Sequence, residues 1–96
     1  MNSSLPSLER LLVLSEAMAS AAAASDWEGL AERESERRTL ADSLPPALFD
    51  GTPPSAREHS RRLIESCLAC DARVRGLVEA RLHELSVLLR VTPIDR

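Results

Sequence analysis

Cys67 and Cys70, separated by two residues, are the pair in this sequence with the most chemistry available to it. A C-x-x-C pair can shuttle electrons as a disulfide or supply two thiolates to a metal. Reactivity depends on the thiolate, which a helix N-terminus stabilises; both cysteines instead fall well inside the last helical pattern. A zinc site takes about four ligands, and only His59 and His83 are available, too far apart along a straight helix. The thiols read as small apolar core residues. His59 and His83 stand apart on charged helix surfaces, with no ordered serine and aspartate to complete an acid–base pair. Neither a cofactor nor a metal is expected, and no residue cluster announces catalysis.

Composition points the same way. The chain has 96 residues, 44% of them apolar, with one Trp, one Phe and no Tyr. Leu, Ala, Arg and Glu dominate and are strong helix formers, whereas the β-branched and aromatic residues that favour strands are scarce. The expectation is an all-α fold in one domain spanning 1–96. Net charge is −3, and all twelve basic residues are arginine, interleaved with glutamate. No one-signed stripe exists to release counterions from nucleic acid, so direct nucleic-acid binding is not expected. No apolar run approaches the ~18 residues a membrane span requires. The start, MNSSLPSLER, lacks a basic n-region followed by a cleavage site. A cytoplasmic location is expected.

Three helices must position whatever the chain binds: about 7–25, 26–44 and 55–91, with a proline-rich linker at 45–54. In the first, Leu8, Leu11, Leu12, Ser15, Met18, Ala19 and Ala22 form one stripe at three- and four-residue intervals, capped from Ser4 or Ser7. Val13 and Leu14 lie off the stripe and widen the apolar face. Asp26 caps the second helix, and Trp27 follows at the corner between two antiparallel helices, a place to glue a hairpin. Leu30, Arg37, Leu40 and Leu44 continue its side. The run Glu32 to Arg38 is otherwise a solvated face, with Glu34 and Arg38 in the favourable i, i+4 order. Within the linker, Leu48 and Phe49 are expected to fold back over a core edge.

The third helix begins with a capping box, Ser55 and Glu58, and runs far longer than one core requires. Leu63, Cys67, Cys70, Val74, Leu77 and Arg81 make one stripe; Ile64, Leu68, Asp71, Val78, Leu82, Leu85 and Leu89 make an adjacent one. Gly76 is a place for a bend. Asp71 is the anomaly, a carboxylate in an apolar stripe that needs a partner, and Arg37 is the expected one. The architecture is an antiparallel helical hairpin plus a long third helix, bundle-like and open to completion by a second copy.

The stretch Ala24-Ser25-Asp26-Trp27-Glu28-Gly29-Leu30, followed by Glu34, Arg37 and Leu40, resembles the FliT-type flagellar type III export chaperones. So does Cys67-Leu68-Ala69-Cys70-Asp71-Ala72-Arg73-Val74 with Leu77-Val78, an apolar-Asp-x-x-apolar segment. The resemblance covers about residues 7–90. It implies a cytoplasmic chaperone that holds the filament-cap protein before export, with export-apparatus components as further partners and, in some bacteria, the flagellar master regulator. Arg33 departs from the pattern, where an apolar residue is usual. The stop at Arg96 leaves no room for the extra C-terminal helix that some relatives fold over their groove, which implies a groove open from the start or covered by a second subunit. Candidate groove residues are Trp27, Leu30, Leu40, Leu44, Val74, Val78, Leu82 and Leu85, lined up to take the apolar side chains of a disordered export segment.

Two other readings compete. Asp71-x-x-Val74-x-x-Leu77-Val78-x-x-Arg81 resembles the first helix of the all-helical chorismate mutases, but here that helix comes last and the chain has no lysine. Arg81 reads better as the ion-pair partner of a glutamate. The alternative to a chaperone is a helical dimerisation or scaffold module without cargo, which a fully dry symmetric interface would favour.

Overall fold

The computed structural model describes residues 5–44 and 53–91. Three helices follow in order: α1 at Leu5–Ala23, α2 at Trp27–Asp42 and α3 at Pro54–Val91. Leu48 and Phe49 lie outside the described residues, as does Ser4. The described residues contain helices and no strand, as the composition requires.

α1 is the centre of the assembly. It packs against both α2 and α3, whereas no Cα of α2 comes within 8 Å of a Cα of α3. A helix held on two sides needs a wide apolar face, and Leu8, Leu14, Met18, Ala19 and Ala22 are all buried. Leu14, read from the sequence as lying off the main stripe, is 3% exposed, while its neighbour Val13 is 50% exposed. The second partner helix accounts for the difference, since it covers a flank of α1 that a single stripe leaves open.

The α1–α2 corner takes only three residues. Ser25 has a φ of 60°, a left-handed conformation that usually calls for glycine. Its N–H donates to the Ala22 carbonyl at 3.1 Å and the Asp26 N–H donates to the Ala21 carbonyl at 2.8 Å, the paired bonds of a Schellman ending. Asp26 then begins the next helix, its Oδ1 accepting from the Gly29 N–H at 3.0 Å. One aspartate thus closes α1 and opens α2.

Gly29 is required by that cap. A Cβ there would lie 2.2 Å from Asp26 Oδ2, so the carboxylate would have to swing away. Alanine favours a helix over glycine by about 1 kcal/mol, and losing the cap costs about as much. Gly29→Ala is therefore expected to leave stability unchanged in the native sequence and to raise it by about 1 kcal/mol in an Asp26→Ala background. Urea denaturation of the four variants checks this; an equal gain in both backgrounds would show that the cap does not matter.

α3 starts one residue earlier than expected. Pro54 is its first residue, a position where the missing N–H costs nothing, and the Arg57 N–H donates to the Pro53 carbonyl at 2.9 Å. Ser55 is therefore inside the first turn rather than at the cap. The Glu58 carboxylate turns to Arg61 and Arg62 instead, and the Arg61 hydrogen bond holds it below the usual carboxylate range. α3 then continues unbroken through Gly76.

The outline is elongated. Its extents are 64 × 21 × 20 Å and its radius of gyration is 17.8 Å, against about 12–13 Å for a compact chain of this length. α3, at 38 residues, is twice as long as α1 at 19. Glu9 of α1 faces His59 of α3 at 3.9 Å, and Ser15 lies close enough to Cys67 to act on its thiol, so the two helices run parallel. At that offset α1 ends near residue 75 of α3. Every residue from 79 to 90 is exposed. The last turns of α3 form an arm that projects beyond the bundle.

Candidate partner-binding groove

At the middle of the bundle the three helices share one polar contact. Arg37 of α2 reaches across to Asp71 of α3 in an ion pair. The same guanidinium nitrogen, Nη1, donates to Ser15 Oγ of α1 at 3.1 Å. Ser15 is fully buried, and the Arg37 and Asp71 side chains are 25% and 29% exposed. A carboxylate in an apolar stripe thus finds the arginine that its position called for, with a buried serine completing the arrangement. That serine sits in the main stripe of α1, and a hydroxyl in an otherwise apolar stripe is the signal for such a contact.

The bridge joins two helices that have no Cα pair within 8 Å. Both pack on α1, so the candidate groove is the region between α2 and α3 over α1, and the bridge crosses it. α2 runs antiparallel to α3, so each step back from Arg37 matches a step forward from Asp71. Trp27 and Leu30 therefore stand at the level of Val78 and Arg81, beside the base of the arm. Leu40 and Leu44 stand toward the other end, at the level of Leu68 and Ile64. All four α2 residues are half-buried, as are Val74 and Val78. Leu82 and Leu85 stand apart on the arm, 59% and 38% exposed. The eight candidates divide into an upper group, a lower pair and an arm pair.

α2 itself is a thin cover. None of its residues is buried, and its outer face carries Arg38–Glu34 and Arg33–Glu36 pairs, both at 2.9 Å. Arg33, where an apolar residue is usual in the resembling pattern, is half-buried at the rim of a shallow cleft of about 540 Å³ between α1 and α2. Small residues line that cleft: Ala17, Ser20, Ala21, Ala24 and Gly29.

The cysteines belong to the packing. Cys70 is buried and Cys67 half-buried, both as free thiols. Burial pushes the Cys67 thiol above its ordinary range, and the nearby Asp71 carboxylate adds to the shift, while the Ser15 hydrogen bond opposes it. A raised thiol pKa leaves little thiolate at neutral pH. We expect Cys67 to react with a thiol reagent at pH 8 at least about tenfold more slowly in the folded chain than in urea; equal rates would show an open, ordinary thiol. Among the described residues, no group of three or more His, Cys, Asp and Glu could hold a metal ion. Asp71 is engaged by Arg37, and Arg81 faces Glu84 at 3.5 Å on the arm surface. No helix among the described residues is long and apolar enough to cross a membrane.

More apolar surface lies on the arm than the candidate positions covered. Val87, Leu88 and Leu89 are 38%, 57% and 65% exposed there. In a comparison with known families, residues 5–92 match the family model described as "FliT: Flagellar protein FliT". Searches of curated proteins and of solved structures gave no match.

Proposed function

The chain belongs to the FliT family of flagellar export chaperones, and from that premise we propose that it holds the filament-cap protein in the cytoplasm before type III export. It does so by binding and without catalysis. A disordered export segment of the cap protein lays apolar side chains into the groove between α2 and α3, on the upper half. There Trp27, Leu30, Val74 and Val78 are half-buried, and Leu82 and Leu85 continue the surface along the arm. Helix-in-groove recognition of this kind needs apolar anchors at helical spacing and a partner that buries them. Export-apparatus components are further candidate partners of the same complex.

The observation that supports this reading is the separation of α2 from α3, no Cα pair of which lies within 8 Å, beside a third helix exposed throughout residues 79–90. A chain built only for its own stability has no need of either. Held this way, the cap protein is kept from premature assembly and released at the export gate. A handover chaperone needs an affinity in the micromolar range, about −8 kcal/mol.

The double substitution Val78→Ser with Leu82→Ser tests the surface. Leu82 is exposed and Val78 half-buried, so the expected loss of stability is below about 1.5 kcal/mol. Removing two apolar anchors from a buried contact should cost cargo binding at least about tenfold. Unchanged cargo affinity in the folded double variant would remove this face from the binding site.

A further inference from the structure

We infer that α2 opens from the bundle as a unit, turning on the corner at Ala24–Asp26 and latched by the bridge from Arg37 to Asp71 and Ser15. α2 is the least anchored of the three helices. None of its 16 residues is buried, whereas α1 has six buried residues, so its departure costs α2 itself little apolar burial. Its seam with α1 is loose over the turns next to the corner. There the cleft of about 540 Å³ lies between Ala17, Ala21 and Ala24 on α1 and Gly29 on α2, small residues that give few dispersion contacts. α1 and α3 have a packing of their own: Leu63 and Cys70 are buried on α3, although no Cα of α2 comes within 8 Å of that helix.

The corner is a hinge under load. Only Ala24, Ser25 and Asp26 separate α1 from α2, and Ser25 holds a φ of 60°, where the Cβ crowds the following carbonyl oxygen. A change of dihedrals at Ser25 relieves that strain and moves α2 whole. The Asp26 cap and the Arg33–Glu36 and Arg38–Glu34 pairs are internal to the moving part, so they travel with it. The latch has to break: Arg37 ties α2 to Asp71 on α3 and to Ser15 on α1. The two charged side chains are 25% and 29% exposed, so water takes over part of their solvation as they separate. Once detached, a helix of 16 residues is marginal in water, and its amides become open to exchange. For a chaperone this makes α2 a movable wall, which swings out to admit a segment and closes on it when the bridge is remade. That use rests on the proposed function; the opening itself rests on the fold alone.

Hydrogen exchange of the full chain, resolved by residue with NMR and followed in urea below the unfolding transition, tests the opening. Amides within 32–41 should be protected at least about tenfold less than those within 12–22 and 60–74. Their protection should also fall less steeply with urea, because freeing one helix exposes less surface than unfolding the chain. Leu63→Ala loosens the packing of α3, and should lower protection in α1 and α3 at least about tenfold while leaving that of α2 unchanged. Asp71→Asn removes the charge of the latch from outside α2, and should lower the protection of α2 at least about fivefold. Ser25→Gly relieves the corner and should raise it about fivefold. One protection level and one urea dependence shared by all three helices would overturn the opening. So would an equal fall in all three helices on Leu63→Ala. An α2 that ignores Asp71→Asn overturns the latch, and one that ignores Ser25→Gly overturns the hinge. No cargo is present, so a failure here leaves the chaperone reading standing.

Discussion

Leu14→Ala should destabilise the chain by about 3 kcal/mol, whereas Val13→Ala, one residue away, should cost less than about 0.5 kcal/mol. Leu14 is 3% exposed and Val13 is 50% exposed. Deleting a fully buried leucine forfeits its transfer free energy and leaves a cavity that the surroundings fill only in part. At Leu14 the surroundings are constrained on two sides, because α1 is gripped by both other helices. A chain of this length has a net stability of about 5–14 kcal/mol, so the loss is a large share. It should appear as a fall in Tm of roughly 12–24 °C. Chemical and thermal denaturation of the two variants side by side check the prediction. Similar losses at both positions would mean that α1 is rotated from the orientation described, and with it the groove.

The second large effect is expected at the bridge. Arg37→Ala leaves Asp71 without its counter-ion in a partly desolvated site and Ser15 without its arginine donor. A hydrogen bond to a charged group is worth about 1.5–3 kcal/mol. Both side chains are about a quarter exposed, so water recovers part of the loss. We expect about 2 kcal/mol for Arg37→Ala and a similar cost for Asp71→Ala. The double variant should lose less than the two singles together, with a coupling of about 1–2 kcal/mol. Additive losses would show that the bridge does not hold α2 in place. α2 has no buried residue of its own, so its attachment relies on its packing against α1 and on this link to α3. Loss of the bridge should therefore also widen the groove and change cargo affinity.

The bridge shows what pattern alone can reveal. Asp71 in an apolar stripe demanded a counter-charge, and Arg37 was the arginine on the inward side of an otherwise solvated run. Helix limits were legible for a similar reason: Asp26, the paired prolines and the stripe spacing punctuate the chain within a residue or two. The Ser25 turn was not legible, because a serine in a left-handed conformation carries none of the glycine signal that marks such endings. Val13 and Leu14 both widen the apolar face of α1, and spacing alone does not say that Leu14 is buried and Val13 exposed; the second neighbour of α1 decides it. The same limit governed the groove. Spacing shows that Val74, Val78, Leu82 and Leu85 share the same side of α3, but only the relative lengths of α1 and α3 decide that the first two are half-covered and the last two stand on an arm. Leu88 lies outside both stripes, so spacing gives no signal for it.

The proposed function requires that this chain bind the filament-cap protein. Calorimetric titration of the purified chain with the C-terminal segment of the same organism's filament-cap protein tests it most directly. Saturable binding in the micromolar range or tighter is expected, corresponding to about −8 kcal/mol or more favourable. A folded chain and a soluble segment that give no heat and no complex would contradict it.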